Sequence, residues 1–367
     1  MKIQSTIACS VLAVAMATAQ VPPAKQPVRP AGAAAAAKFK AIWEPVPFNK
    51  DINLNAVACV GPETCWAVGD KSTILFTTDG GTKWQVQLGG DPQDTTDDEL
   101  SDVFFLDATH GWAMTRRGKI LGTTNGTTWA ELSTVTGTSR GVWFLSPQNG
   151  LEFEDSPQAT QRRSNDGGRS WKPEGRCSVD ASVGGLPRQL PCLLNAAHFL
   201  SPTVGFAGGG ASLGMAKYMA AFGTTLDGGA TWSMSVIPDS TRNITDVRFW
   251  TEKDGIVVLD RGEEVHWTGD GGTTWTRSVK QRLWPGLHAV GEGKIIVAIG
   301  EDGGIAYSFN GGRNFTSRPF ALPARAKAVT FPDAQHGYVV GQHAMVYRYR
   351  IVPIDYTRPG MIAAMAQ

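Results

Sequence analysis

The stretch Thr268-Gly269-Asp270-Gly271-Gly272-Thr273-Thr274-Trp275 decides the fold of this 367-residue chain. It places an Asp two positions after a hydroxyl residue, a Gly two positions later, and an aromatic residue at the end. The same pattern recurs as TTDGGTKW from Thr77, SNDGGRSW from Ser164, TLDGGATW from Thr225, SFNGGRNF from Ser308 and, one residue shorter, TTNGTTW from Thr123. Six copies in one chain indicate an internal repeat.

Each copy has the chemistry of a tight turn between two strands. An Asp or Asn side chain accepts hydrogen bonds from backbone N–H groups just ahead of it, and the Gly residues take backbone angles that a side chain disfavours. The closing aromatic residue begins the next strand and packs against its neighbours. We therefore interpret the following residues as structural: Asp79, Trp84, Asn125, Trp129, Asp166, Trp171, Asp227, Trp232, Asp270, Trp275, Asn310 and Phe315.

The pattern resembles the Asp-box, or bacterial neuraminidase repeat. Most copies follow an aromatic strand such as His110-Gly111-Trp112-Ala113 and a second strand such as Gly118-Lys119-Ile120-Leu121. This fuller pattern is similar to that of the photosystem II stability and assembly factor family, and it extends over nearly all the chain after about residue 39. The resemblance implies an Asp-box β-propeller. Asp-boxes also occur in sialidases, other glycosidases and sorting receptors.

The repeats predict an all-β, seven-bladed propeller with four-stranded antiparallel blades. Six blades contain a box before their fourth strand, and a seventh begins at Ala328 but has no box in the sequence that follows. The segment Phe39 to Val46 reads as its missing fourth strand, with Trp43 where a box Trp would stand. We therefore expect the N-terminal strand to close the ring, which removes an exposed sheet edge.

The interval between successive boxes locates the insertions. Trp171 and Trp232 are 61 residues apart, whereas the other intervals are 40 to 45 residues. The long interval contains residues 174–193, which join the third and fourth blades, and residues 209–218, between the second and third strands of the fourth. Both should lie on the face opposite the Asp-boxes, and insertions on a regular scaffold commonly carry binding.

We expect binding residues on that face, at the turns between second and third strands. The binding candidates are Arg116, Arg117, Lys119, Arg162, Arg163, Tyr218 and Arg261, with Lys71, Lys217, Glu263, Glu264, Glu301 and Asp302 on the same turns. The resemblance implies a basic face that contacts a partner protein. Solvated loop tips are the alternative interpretation of these charges.

Three functions remain open: a non-enzymatic binding or assembly module, a sialidase-like glycoside hydrolase, and a glycan-recognition domain. A glycosidase needs two facing carboxylates, and the candidates Glu152, Glu154, Asp155, Asp260 and Glu263 cannot be paired by spacing. We favour a non-enzymatic scaffold without catalytic residues or cofactors, binding a protein or a glycan. The net charge of +1 gives no support for nucleic-acid binding, and we expect a monomer.

The N-terminus has the features of a secretory signal peptide, with Lys2, an apolar stretch from Ile7 to Met16 and small residues at Ala17 and Ala19. We place cleavage after Ala19, with a retained membrane anchor as the alternative. The predicted organisation is a signal peptide over 1–19, a Pro/Ala-rich linker over 20–38, the propeller over 39–356 and a tail over 357–367. No other stretch is long enough to span a membrane, so we expect a periplasmic or secreted protein.

Four cysteines remain after cleavage, and an exported chain meets oxidising conditions. We predict the local pairs Cys59–Cys65 and Cys177–Cys192 among three possible connectivities. A metal site is the rival interpretation, but no C-x-x-C or paired His spacing supports it. The acidic connector Asp91 to Glu99 could bind Ca²⁺ weakly, although it lacks the ligand order of a calcium loop.

Overall fold

Each eight-residue repeat forms a tight turn that ends one strand and begins the next. Thr268 Oγ1 donates to Asp270 Oδ1 (2.8 Å) and accepts from the N–H of Gly272 (3.0 Å). Asp270 Oδ1 also accepts from the N–H of Thr274 (2.9 Å), and Gly271 and Gly272 have φ of 75° and 88°. Equivalent hydroxyl–carboxyl or hydroxyl–amide bonds recur in the other five copies, so the same side-chain hydrogen bond stabilises all six turns.

A computed structural model describes residues 39–93, 98–135, 139–154, 160–215, 217–278, 284–290, 293, 295–299 and 304–354 of the chain, without the side chains of residues 261, 284–290, 318 and 319. One compact unit, Phe39–Val352, contains all the blades. A second unit comprises Met1–Lys38 and Pro353–Gln367, of which only Pro353 and Ile354 are described. The predicted signal peptide, linker and tail therefore lie outside the described residues.

The strands form seven antiparallel sheets arranged as a β-propeller, and the predicted fold class is confirmed. Blade 1 comprises β2 (Leu54–Cys59), β3 (Cys65–Gly69), β4 (Thr73–Thr77) and β5 (Gln85–Leu88). Blade 2 comprises β6 (Leu100–Phe105), β7 (Gly111–Thr115), β8 (Lys119–Thr123) and β9 (Ala130–Thr134). Blade 3 comprises β10 (Ser139–Phe144), β11 (Gly150–Glu154), β12 (Gln161–Ser164) and β13 (Lys172–Glu174).

Blade 4 has five strands: β14 (Ser178–Val183), β15 (Leu186–Phe199), β16 (Gly205–Gly214), β17 (Lys217–Thr225) and β18 (Ser233–Val236). Blade 5 comprises β19 (Ile244–Phe249), β20 (Gly255–Leu259), β21 (Glu264–Thr268) and β22 (Thr276–Arg277), with a 3₁₀ turn at Asp260–Gly262. Blade 6 comprises β23 (Trp284–Val290), β24 (Ile295–Ile299), β25 (Gly304–Ser308) and β26 (Thr316–Ala321). The described residues contain no helix long and apolar enough to cross a membrane.

Blade 7 joins the two ends of the propeller. Its strands are β27 (Ala326–Thr330), β28 (His336–Gly341), β29 (Val346–Pro353) and, from the other end, β1 (Phe39–Pro45). The N–H of Val46 donates to the carbonyl of Val346 (2.9 Å), and Glu44 pairs with Arg348 and Arg350 across the two strands. The N-terminal strand thus closes the ring, as the sequence predicts.

Stacked aromatic side chains connect neighbouring blades. Trp66 of blade 1 stacks on Phe105 of blade 2 with ring centroids 3.6 Å apart, and Trp112 stacks on Phe144 of blade 3 at the same distance. Such a pair contributes about 1 kcal/mol beyond the burial of its surface. Aromatic residues in the second strand of a blade therefore fix its contact with the next blade.

Candidate functional site

The blade geometry gives the propeller two chemically different faces. We call one the Asp-box face, because the box turns lie there beside the turns between first and second strands. The N–H of Gly126 in a box, for example, donates to the carbonyl of Thr109 in such a turn (3.0 Å). The opposite side, which we call the connector face, carries the turns between second and third strands and the connections from blade to blade.

The two insertions of blade 4 extend from the connector face as hairpins. The first forms β14 and the beginning of β15, which turn at Gly184 and Gly185, and the second lengthens β16 and β17. Val179, Leu190 and Ala181 of the first hairpin pack with Met219 and Met234 of blade 4. The first hairpin is therefore packed against the blade rather than projecting freely from it.

Both predicted disulfides are formed. Cys177 bonds to Cys192 at the base of the first hairpin, and Cys59 bonds to Cys65 across β2 and β3. Cys192 is also paired with Ala211 in the ladder between β15 and β16. The longer disulfide loop is therefore anchored directly to the strand that carries the second hairpin.

The tips of the two hairpins expose apolar side chains. Met215 is 97% exposed in the turn between β16 and β17, and Leu186 is 61% exposed at the end of the first hairpin. Lys217 and Arg188 are exposed close to these residues in the chain, whereas the predicted binding residue Tyr218 is half-buried. Met and Arg are enriched at protein interfaces, so the tips of the two hairpins are a candidate binding surface.

Three of the predicted basic residues lie on the connector face of blade 2, beside the acidic connector. Arg116 Nε is 3.0 Å from Glu99 Oε2, and Lys119 Nζ is 2.6 Å from Asp98 Oδ2. The hydrogen bond to Asp98 raises the pKa of Lys119. Arg117 is exposed in the same turn. Acidic partners thus offset the charge of Arg116 and Lys119. Residues 94–97 of the acidic connector lie outside the described part of the chain.

The predicted turn position of Arg162 and Arg163 is wrong, because both lie within β12. The side chain of Arg162 is 13% exposed and pairs with Glu152 and Glu154 of β11. Arg163 Nε lies 2.8 Å from Glu174 Oε2 on β13. A turn at Arg162 and Arg163 would let the strand begin only at Ser164, whereas β12 begins at Gln161, three residues earlier.

Glu152 and Glu154 form a buried acidic pair around Arg162. Both are almost without exposure, and burial raises the pKa of Glu152 to about 7 against the opposing effects of Ser139 and Arg162. Burial likewise raises the pKa of Glu154, with Arg162 opposing it. Two carboxylates that share one guanidinium resist simultaneous ionisation, so this group is poised to take up a proton near neutral pH.

Sequence reasoning missed a second charged network, at the connector face of blade 5. Arg242, in the connection before β19, pairs with Asp260 (2.9 Å), Glu263 and Glu264. Glu264 Oε2 lies 3.1 Å from His266 Nε2. Burial opposes ionisation of Glu264, but His266, Arg277 and Arg242 together lower its pKa. Arg242 precedes these carboxylates by about 20 residues, and no sequence motif predicts that the turn will bring them together.

The remaining predicted residues give no catalytic arrangement in the described part of the chain. Glu263 is engaged with Arg242, whereas Asp155, Glu301, Asp302 and the side chain of Arg261 lie outside what the structure describes. The described residues also include no group of three or more His, Cys, Asp or Glu placed to hold a metal ion.

Comparison with known proteins gives a family model that matches part of the chain and solved structures that share its fold. A family model described as photosynthesis system II assembly factor YCF48 matches residues 35–174. The chain is an Asp-box β-propeller that resembles these assembly factors. A solved structure of YCF48 bound to a D1 peptide is 17% identical, covers 84% of this chain and 96% of that chain, and gives a TM-score of 0.60. YCF48 from Cyanidioschyzon merolae is also 17% identical, with 84% and 98% covered and a TM-score of 0.61.

The assembly-factor-like fold is shared with proteins of other functions. A catalytically inactive virginiamycin B lyase from Staphylococcus aureus with quinupristin is 11% identical, with 86% of this chain and 100% of that chain covered and a TM-score of 0.57. No curated protein sequence matches the chain. The fold therefore leaves the function to be argued from the site.

Proposed function

We propose that this protein is an exported, non-enzymatic assembly scaffold that binds a protein partner through its connector face. The observation that carries the proposal is the pair of blade 4 hairpins, which place Leu186 and Met215 in solvent on an otherwise regular propeller. Exposed apolar anchors with a charged surround suit a protein partner, because Met and Arg are enriched at protein interfaces and a few anchor residues carry most of the binding energy.

Three further observations support the proposal. The family model that matches residues 35–174 is that of an assembly factor, and a similar propeller is known with a bound D1 peptide. The two disulfides suit an oxidising compartment. The N-terminal stretch from Lys2 to Ala19 has the features of an export signal.

The test uses one substitution on each face. The partner is first captured from the native host by chemical crosslinking to the purified protein, identified by mass spectrometry and purified. Binding is then measured for wild type, Met215→Ser on the connector face and Leu226→Ser on the Asp-box face, where Leu226 is 76% exposed. We expect Met215→Ser to weaken binding about tenfold, or about 1.4 kcal/mol, and Leu226→Ser to leave it unchanged.

Two results would contradict the proposal. One is equal weakening by both substitutions, or by Leu226→Ser alone, which would remove the connector face from the interaction. The other is turnover of a chromogenic glycoside that disappears in Glu263→Gln or Tyr218→Phe, which would make the protein a glycosidase. Thermal melting of each variant establishes that the fold is retained.

A further inference from the structure

At six of the seven blade interfaces, a box turn covers the Asp-box end of the preceding blade. Trp66 Nε1 of blade 1 donates to the carbonyl of Gly126 in the box of blade 2 (3.0 Å), and Trp112 Nε1 donates to Gly167 in the next box (2.9 Å). Corresponding bonds reach Gly229, Gly312 and Gly80 from Gln161, Ser278 and Arg348. At the interface of blades 4 and 5, Phe222 packs directly against Gly272.

The seventh interface, between blades 6 and 7, keeps the closing aromatic residue of a box but not its turn. Trp43 packs in the core cluster of these two blades, and its Nε1 donates to Tyr307 Oη of blade 6 (2.7 Å). Among the described residues no box turn joins β29 to β1, because the fourth strand of blade 7 comes from the other end of the chain. By register, Tyr349 stands where the other blades have the box hydroxyl, since it pairs with Gly337 as Thr123 pairs with Gly111.

An apolar groove of about 600 Å³ lies where that seventh turn would pack. Val297 is at its base, paired with Tyr307 as Trp66 is paired with Phe76 in blade 1. A small side chain thus replaces a large one at the position that a box turn normally contacts. The other walls of the groove include Trp43, Phe309, Phe320 and Ala334.

The mouth of the groove is apolar with a positive charge. Phe39 and Phe309 are 60% and 59% exposed there. Lys40 is exposed beside them and lines the same groove. Four of the six boxes, those of blades 1, 3, 4 and 5, carry an Asp in the turn, and the other two carry an Asn. A turn with Asp would bring a negative charge to the mouth of the groove, where Lys40 lies.

We propose that the groove binds a glycine-containing turn with an acidic residue, supplied by a partner polypeptide, in place of the missing seventh box. The six filled interfaces show the shape that such grooves accept, and Lys40 supplies complementary charge. This site is on the Asp-box face, so it is distinct from the surface of the proposed function and can be tested independently of it.

The test measures binding of a labelled peptide with the sequence TGDGGTTW, that of residues 268–275, by fluorescence anisotropy on the full-length protein. Ala334→Trp should fill the mouth of the groove and weaken binding about tenfold. Ala108→Trp is the matched control. Ala108 lies in the turn Asp107-Ala108-Thr109-His110 of blade 2, which corresponds to Asp333-Ala334-Gln335-His336 of blade 7 but packs against the box of its own blade. We expect the control to bind as wild type does.

Charge and backbone shape are tested separately. Lys40→Ala should weaken binding about threefold and reduce its salt dependence, as expected for an exposed ion pair, while Lys83→Ala on the box of blade 1 should have no effect. A peptide in which the two consecutive glycines, those corresponding to Gly271 and Gly272, are replaced by Ala should bind more weakly, because these two positions have left-handed backbone angles in the turn.

Several outcomes would overturn the proposal. The first is the absence of saturable binding up to about 1 mM peptide, where the free energy of binding is only about −4 kcal/mol. The second is equal weakening by Ala334→Trp and Ala108→Trp. The third is a dimer in sedimentation velocity that Ala334→Trp dissociates and the peptide does not, since a second copy of the chain would then occupy the groove.

Discussion

The acid of each box shows how one side chain can fix a turn. Asp166 accepts from the N–H groups of Arg169 (3.0 Å) and Ser170 (2.9 Å) and from the hydroxyl groups of Ser164 and Ser170. Burial opposes its ionisation, but the hydrogen bonds from Ser170 and Ser164 lower its pKa to about 2. The carboxylate is therefore held as an acceptor for the backbone of the turn.

We predict that Asp166→Ala lowers the free energy of unfolding by about 1–3 kcal/mol, because several backbone donors lose their acceptor. Asp166→Asn should cost less, since Asn125 and Asn310 serve as acceptors in two native boxes. Urea denaturation of both variants measures the difference. A loss of partner binding by a fully folded Asp166→Ala protein would contradict the structural interpretation of the box acids.

The side chain of Arg162 is largely buried and that of Arg116 is exposed, although the sequence predicts that both lie in exposed turns on the same face. Arg162→Ala should lower the free energy of unfolding by about 3 kcal/mol, because it leaves Glu152 and Glu154 buried without their cation. Arg116→Ala should change it by less than about 1 kcal/mol, since its partner Glu99 is at the surface. Chemical denaturation of the two variants checks the contrast, and equal effects would show that the buried pair is not compensated by Arg162.

At the scale of elements, the first hairpin of blade 4 depends on its disulfide. Cys177 and Cys192 are 15 residues apart, whereas Cys59 and Cys65 are 6 apart. In the chain-entropy model the longer loop contributes about 3 kcal/mol and the shorter about 2. We predict that Cys177→Ser with Cys192→Ser is the more destabilising pair and that it specifically increases amide exchange in residues 178–191. Unchanged exchange in this hairpin would show that packing on Met219 and Met234 is sufficient.

The sequence predicted the elements that local chemistry controls. The boxes, the closure by Phe39–Pro45 and both disulfides follow from turn residues, strand patterns and Cys spacing, and the structure contains them. The position of Arg162 did not follow, because one strand boundary decides whether a charged residue is exposed or buried. The Arg242 network did not follow either, since its carboxylates converge only when the 3₁₀ turn at Asp260–Gly262 forms.

For the whole molecule, the acidic side chains whose pKa is raised determine how the free energy of unfolding depends on pH between 8 and 5. The pKa of Glu152 rises from 4.5 to about 7, and that of Asp102 rises from 3.8 to about 6, both chiefly through burial. A raised pKa means that the folded protein binds the proton more tightly than the unfolded chain does. We therefore predict that the melting temperature rises as the pH falls from 8 toward 5.

The opposite trend should begin below about pH 4, because the acids of the unfolded chain take up protons there, whereas box acids such as Asp166 and Asp227, whose pKa is lowered to about 2, stay ionised in the folded protein. Melting curves between pH 8 and 3 measure both limbs. Glu152→Gln removes one titrating group at nearly constant shape and should flatten the upper limb. A melting temperature that stays constant or falls between pH 8 and 5 would contradict the prediction.

The closure of blade 7 also constrains the order in which the protein can mature. Of the described strands of the propeller, the first along the chain, Phe39–Pro45, pairs with the last, Val346–Pro353. Trp43 therefore has no partner on β29 until translation of the propeller is nearly finished, and a prematurely terminated product leaves both an open strand and an apolar side chain accessible. Such features are recognised by chaperones and proteases. Because the two ends of the propeller pair with each other, incompletely translated chains should be degraded in preference to complete ones.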